Sequence, residues 1–80
     1  MSSPHADVIA EEIQRRLVRL DQLIPGLPAD ANLINHLRGE IIGLRAALGI
    51  VLGGIVQDGN ADRLGYDYHQ KWLTRQDTTA

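Results

Sequence analysis

The chain has 80 residues, a formal net charge of −2 at pH 7 and no cysteine. A single small domain of this length buries a modest share of its surface and often needs a partner, and the lack of cysteine excludes disulfides and thiolate metal sites. The slightly acidic charge argues against strong non-specific attraction to nucleic acid or to acidic membranes.

A first helix is predicted over residues 4–24. Ser3 and Pro4 suit the N-cap and the first helical position, because proline lacks the N–H that would go unpaired there. Apolar residues then recur every three or four positions, which is the pattern of a core-facing helix. They are Ala6, Ala10, Ile13, Leu17, Leu20 and Ile24. Proline and glycine in residues 25–28 end the helix, so we expect an antiparallel helical hairpin.

A second, longer helix is predicted over residues 31–57, with Asp30 or Asn32 as its N-cap. Its apolar residues alternate at spacings of three and four, which is a continuous heptad pattern typical of coiled coils. They are Ile34, Leu37, Ile41, Leu44, Leu48, Val51 and Ile55. A hairpin alone cannot cover both this seam and the rest of the helix. We therefore expect the heptad residues to form the interface of a homodimer, a four-helix bundle.

Glycines within the second helix point to a close approach or to an early end. Gly39 and Gly43, with Ala46 and Ala47, form a strip of small residues opposite the heptad seam, where a backbone or a flat aromatic ring could pack. The pair Gly53 and Gly54 supports an alternative in which the helix kinks or ends there, since paired glycine is a common cause of sharp bends.

Membrane and secretory segments are not expected. The first residues contain neither the basic stretch nor the apolar stretch of a signal peptide. The uncharged apolar run over residues 46–56 covers about half of the roughly 20 residues that a bilayer-spanning helix needs. We therefore expect a soluble, cytoplasmic protein for which membrane binding is unlikely.

The remainder of the single domain is a short third helix or arm. A turn is predicted at Asp58-Gly59-Asn60 and a helix over residues 61–73, although Gly65 also allows an extended segment. Residues 74–80 have no apolar anchor and should fray.

The aromatic residues Tyr66, Tyr68 and Trp72 all lie in this last segment. We expect Trp72 to pack onto the small-residue strip of the second helix, because burying an aromatic ring offsets the cost of several helical glycines. The alternative is functional. Exposed on an arm, the three aromatic residues would form a binding surface for another protein.

No catalytic motif is present, and neither an enzyme activity, a cofactor nor a metal site is expected. The glycine-rich run around Gly49 lies within an apolar helical pattern and does not follow a strand, which argues against a phosphate-binding loop. The three histidines are far apart in sequence, and His69 alone has an acidic neighbour, Asp67. We expect His69 to lie on a solvated helix surface.

A basic surface is formed by Arg15, Arg16 and Arg19 on the outer side of the first helix, and it is the best candidate for nucleic-acid contact. Glu11 and Glu12 stand four residues before two of these arginines and favour ion pairs within the helix. Without interleaved aromatic residues for base stacking, we expect a solvated, ion-paired face.

The sequence thus indicates an all-α protein that acts through self-association and contacts with an unidentified protein, as a small regulator, inhibitor or chaperone would. The alternative is a helical nucleic-acid-binding regulator that uses the arginine face.

Overall fold

The computed structural model of the chain describes residues 4–54 and 60–78, which form three helices and no strand. Helix α1 is Pro4–Asp21, α2 is Pro28–Val51 and α3 is Asn60–Thr78. The predicted all-α class is confirmed, whereas the dimeric four-helix bundle stays a prediction. Ser3, Ile55 and the turn residues 58 and 59 lie outside the described residues.

The side chain of Asp30, a predicted N-cap of the second helix, instead holds the connection between α1 and α2. Leu27 is the N-cap of α2 and provides no side-chain cap, and Pro28 takes the first helical turn, which its fixed φ favours. Asp30 therefore lies inside the helix, where its Oδ2 accepts a hydrogen bond of 2.9 Å from the backbone N–H of Ile24. This bond ties the connecting segment to the start of α2.

Helix α2 ends at Val51, short of the predicted boundary at residue 57, because the two glycines that follow build a helix stop. Leu52 is the C-cap, and Gly53 has a φ of +94°, which a residue without a Cβ adopts easily. The N–H of Gly53 bonds to Ile50 O at 3.0 Å and that of Gly54 to Gly49 O at 2.8 Å. These two bonds form a Schellman motif, in agreement with the early-end alternative.

Helices α2 and α3 approach each other at two glycines. A Cβ on Gly49 would overlap the carbonyl of Ala61, and a Cβ on Gly65 would overlap the carbonyl of Arg45. The later part of α2 faces the beginning of α3, so the two helices run antiparallel. This backbone contact explains why glycine is present despite a cost of about 1 kcal/mol per residue in a helix interior.

The close approach is therefore not at the predicted strip. Gly39 and Gly43 are exposed, and a Cβ on either would meet nothing within 4 Å. The expectation that Trp72 packs there is wrong. The glycines that admit α3 lie nearer the C-terminal end of α2, on the side of the helix that faces α3.

The core lies where the three helices meet. One cluster of buried residues from α1 and α2 is surrounded there by partly buried residues from all three helices and the α2 C-cap. The buried residues of this cluster are Ala6, Ala10, Ile13, Ile41 and Leu48. The surrounding residues are Ile9, Leu17, Leu20, Leu44, Leu52, Tyr68 and Trp72. Burial of each large aliphatic side chain stabilises the fold by about 1.5–3 kcal/mol.

Helix α3 continues to Thr78, beyond the predicted end at residue 73 and into the segment for which fraying is predicted. Two contacts support these last turns. The hydroxyl of Thr74 donates to Gln70 O at 3.1 Å, and Nη2 of Arg75 lies 2.8 Å from Oδ1 of Asp7. The segment has no apolar anchor, but the ion pair between Arg75 and Asp7 gives it a polar tertiary contact.

The molecule is a flat slab whose Cα atoms extend over 42 × 37 × 15 Å. The smallest dimension matches two helix layers, given helix axes 8–10 Å apart and Cα atoms about 2.3 Å from each axis. Its accessible surface is 5492 Å², compared with about 4800 Å² for a globular protein of its mass of 8.8 kDa. None of the described helices is long and apolar enough to cross a bilayer.

Candidate functional site

An open groove lies between the C-terminal half of α1 and the middle of α2. Its volume is about 270 Å³. The lining residues are Leu17, Leu20, Arg38, Ile41, Ile42 and Arg45. Helix α3 packs on α2 at Gly49 and Gly65 and contributes no residue to the lining, so it leaves the groove uncovered.

Helical spacing accounts for the shape of the groove. Arg38, Ile41, Ile42 and Arg45 occupy positions i, i+3, i+4 and i+7 of α2 and so lie on one stripe of the helix. Leu17 and Leu20 of α1 form the opposite wall. Ile42 remains 62% exposed, the highest value among the exposed large hydrophobic residues that the structure describes. The groove therefore has an apolar floor with one arginine at each end of the α2 stripe.

The two arginines carry the charge of the groove. Within the described residues, no carboxylate lies within ion-pairing distance of Arg38 or Arg45. The guanidinium of Arg45 lies 5.2 Å from the centre of the Tyr66 ring, a cation–π contact. Tyr66 is 47% exposed. It brings one of the predicted partner-binding residues to the edge of the groove.

The heptad residues are divided between core and surface. Ile34, Leu37, Ile41 and Leu48 are buried by the chain's own helices, with exposures of 6%, 6%, 4% and 0%. Leu44 is half-buried beside the core, Val51 is 49% exposed, and Ile55 lies outside the described residues. The contact of a second copy with these heptad residues stays a prediction.

The other two predicted partner-binding aromatic residues serve the contact between α3 and α1. The Tyr68 hydroxyl donates to Oδ1 of Asp7 at 2.6 Å, and the same carboxylate oxygen accepts from Arg75. These two donors, Tyr68 first, lower the pKa of Asp7 below its ordinary value. Trp72 is half-buried against the core and stacks on His69, with ring centres 6.2 Å apart.

His69 is fully buried, and the expectation of a solvated position is wrong. It lies in the same α3 stripe as Gly65, the residue that brings α3 onto α2. Its Nε2 is 3.0 Å from Oε1 of Gln14, while Nδ1 is buried without a hydrogen-bond partner among the described residues. Burial, and after it the positive charge of Arg45, lowers the pKa of His69.

The arginine face of α1 is largely neutralised. Arg15 lies 3.0 Å from Glu11, and Arg16 lies 2.8 Å from Glu12 and 3.3 Å from Glu40 of α2. The hydrogen bond from Arg16 lowers the pKa of Glu12. Arg19 is exposed in the last turn of α1. Glu40 of α2 is thus paired within its own chain.

Ile42 and Arg38 were not among the residues that sequence analysis predicted to form a site. One sequence feature points to Ile42. It is a large apolar residue of α2 outside the a and d positions, so the heptad pattern does not account for it.

Among residues 4–54 and 60–78, no group of three or more histidine or acidic side chains is placed to hold a metal ion. The groove is therefore the described feature best suited to recognition, and its chemistry is apolar and cationic. Comparison of the chain with protein-family models, with curated proteins and with solved structures finds no match.

Proposed function

We propose that this chain is a small protein-interaction module and that the groove between α1 and α2 is its recognition site. The observation that carries the proposal is the exposure of Ile42 over an apolar floor that α3 leaves uncovered. Ile42 and the apolar floor beside it offer a partner side chain a contact surface that no residue of α3 covers. Tyr66 at the edge supplies the residue type that is enriched at energetically dominant contacts.

The dimensions of the groove favour a protein ligand over a small molecule. Small-molecule sites are clefts of about 300–1000 Å³ that enclose most of the ligand. The groove is smaller, at about 270 Å³, and is open along one side. A site of this form accommodates a few apolar side chains from a helix that lies across it.

Self-association is a second candidate, supported by large apolar side chains that α2 leaves exposed, Ile42, Ile50 and Val51. A dimer through the whole heptad seam would need α1 or α3 to move away, since four of its residues are already buried. A dimer through the groove would need no such change.

The nucleic-acid alternative receives less support. Arg15 and Arg16 are engaged by three glutamates, so few positive charges of α1 are available for phosphates. Sub-micromolar, salt-sensitive DNA or RNA binding that is lost on replacing Arg15, Arg16 and Arg19 by Gln would reverse this ranking.

Selection of displayed peptides tests the proposal without knowledge of the natural partner. A library of random 16-residue peptides is selected on the wild-type chain, and the binders are then measured on Ile42→Asp and Ile50→Asp. Both isoleucines are exposed on α2, at 62% and 52%, but only Ile42 lines the groove. We expect binders that retain affinity for Ile50→Asp and lose it for Ile42→Asp. Binders that do not distinguish the two variants, or a selection that yields none, would contradict the proposal.

A further inference from the structure

We infer that the partner's binding element is an amphipathic helix whose apolar face is flanked by acidic residues. This inference rests on the proposed function of the groove and adds the chemistry of its occupant. It follows from three features: the two arginines, the length of the stripe between them, and the position of Tyr66.

The arginines require a negative partner. Arg38 and Arg45 border an apolar floor, and no carboxylate of the described residues pairs with either. An apolar ligand without acids would cover these guanidinium groups and remove them from water without compensation, which is unfavourable. A ligand with carboxylates at the same places converts them into charge-assisted hydrogen bonds, in which arginine is often bidentate.

The length of the site suits a short stretch of helix. Seven residues of α2 separate Arg38 and Arg45, which corresponds to about 10.5 Å or two helical turns. A partner helix that lies along the groove presents apolar residues at i, i+3 or i+4, and i+7 over the same distance. Acidic residues immediately outside that apolar stretch then reach the two arginines.

Tyr66 strengthens one of these contacts. Its ring covers the guanidinium of Arg45 at 5.2 Å from the ring centre. A carboxylate that approaches Arg45 from the groove would meet a cation already shielded from water on one side. Coulombic attraction is stronger where the effective dielectric constant is lower.

A second copy of the chain is a less suitable occupant. In a twofold groove-to-groove contact, Arg38 and Arg45 of both copies would enter one interface, and no groove-lining residue is acidic. Juxtaposed like charges oppose such a contact. An acidic amphipathic helix from another protein complements the charge of the two arginines and also covers the apolar floor.

The test uses three synthetic 16-residue helical peptides with the same leucine positions and with Glu, Gln or Lys at the flanking positions. Binding to the full chain is measured by fluorescence anisotropy. The chain has a net charge of −2, so its overall field favours the Lys peptide. A preference for Glu must therefore come from the local field of the groove. We expect the Glu peptide to bind about tenfold more tightly than the Lys peptide, and the ratio to shrink at high salt.

Reversing the charge of Arg38 tests whether this arginine causes the preference for the Glu peptide. Arg38→Glu should abolish or invert the preference for Glu, because Arg38 is exposed and its replacement leaves the apolar floor in place. The control is Arg63→Glu on α3, which changes the net charge equally but lies outside the groove-lining set. It should retain the preference.

Three results would overturn the inference. If the Gln or Lys peptide binds as well as the Glu peptide and still requires Ile42, the groove recognises a helix without acidic preference, and the proposed function stands alone. If no peptide binds, an acidic helix is not the occupant, and the display selection decides separately whether the groove binds protein. If the chain forms a dimer that Ile42→Asp dissociates, a second copy fills the groove.

Discussion

The guanidinium of Arg45 lies 5.2 Å from the centre of the Tyr66 ring, at the point where α3 crosses α2. This contact marks the boundary between two parts of the same helix pair. Beyond Arg45, Gly49 and Gly65 let α3 pack directly on the backbone of α2. No residue of α3 lines the surface between Leu17 and Leu20 of α1 and residues 38–45 of α2, which stays open as the groove.

A glycine at the contact between α2 and α3 and an exposed glycine of α2 should respond to substitution in opposite ways. Gly65→Ala places a Cβ against the carbonyl of Arg45, so α3 must shift, at a cost of about 1–3 kcal/mol or more in the free energy of unfolding. Gly43→Ala meets open space and should stabilise the fold by up to about 1 kcal/mol through helix propensity. Urea denaturation followed by circular dichroism measures both. Equal effects of the two substitutions would contradict the assigned helix contact.

Asp7 should anchor the end of α3. Asp7→Asn weakens the bonds from Tyr68 and Arg75, and because the carboxylate is partly exposed we expect a loss of about 1 kcal/mol. Asp67→Asn, an exposed residue of the same charge, serves as the control and should leave the melting temperature nearly unchanged. Thermal unfolding of the two variants checks this. The account fails if they melt alike.

His69 should make the stability of the fold decrease under mild acid. Its folded pKa is lowered from 6.5, chiefly by burial, so below that pH the unfolded chain takes up a proton that the folded chain does not. The stabilisation is complete above pH 6.5 and is lost as the pH falls toward the folded pKa. Denaturation at pH 7.5 and 5.5 should show it. His69→Gln should reduce this difference, while His5→Gln, at an exposed position, should not.

Trp72 should report on the core. It is half-buried against the core and stacked on His69, so its fluorescence emission should be blue-shifted in the folded chain and move to longer wavelength on unfolding. The shift should persist on dilution, since the burial is provided within one chain. Emission at the wavelength of exposed tryptophan in the folded protein would contradict this placement.

Much of the architecture follows from local rules. Pro4 and Pro28 begin α1 and α2, and the Gly53 and Gly54 pair ends α2 as its Schellman motif requires. The apolar periodicity of α1 predicts its buried residues Ala6, Ala10 and Ile13.

The site itself could not be predicted in this way, because it depends on where α3 crosses the hairpin. A heptad pattern identifies which residues of α2 are to be buried. It does not show whether α1, α3 or another chain buries them. Ile42 is a groove residue because α3 packs on α2 at Gly49 and Gly65 and contributes no residue to the groove lining. Similarly, His69 carries no sequence signal of burial, because Gly65 and its contact with Arg45 decide which face of α3 turns inward.

The most direct test of the groove as a recognition site is a methyl NMR titration of the full chain with a peptide obtained from the display selection. We expect saturable shifts of the methyl resonances of Leu17, Leu20 and Ile42, with little change at Ile50 and Val51, which are exposed on α2 outside the groove. Shifts centred on Ile50 and Val51, or no saturable shifts at Ile42, would contradict this role of the groove.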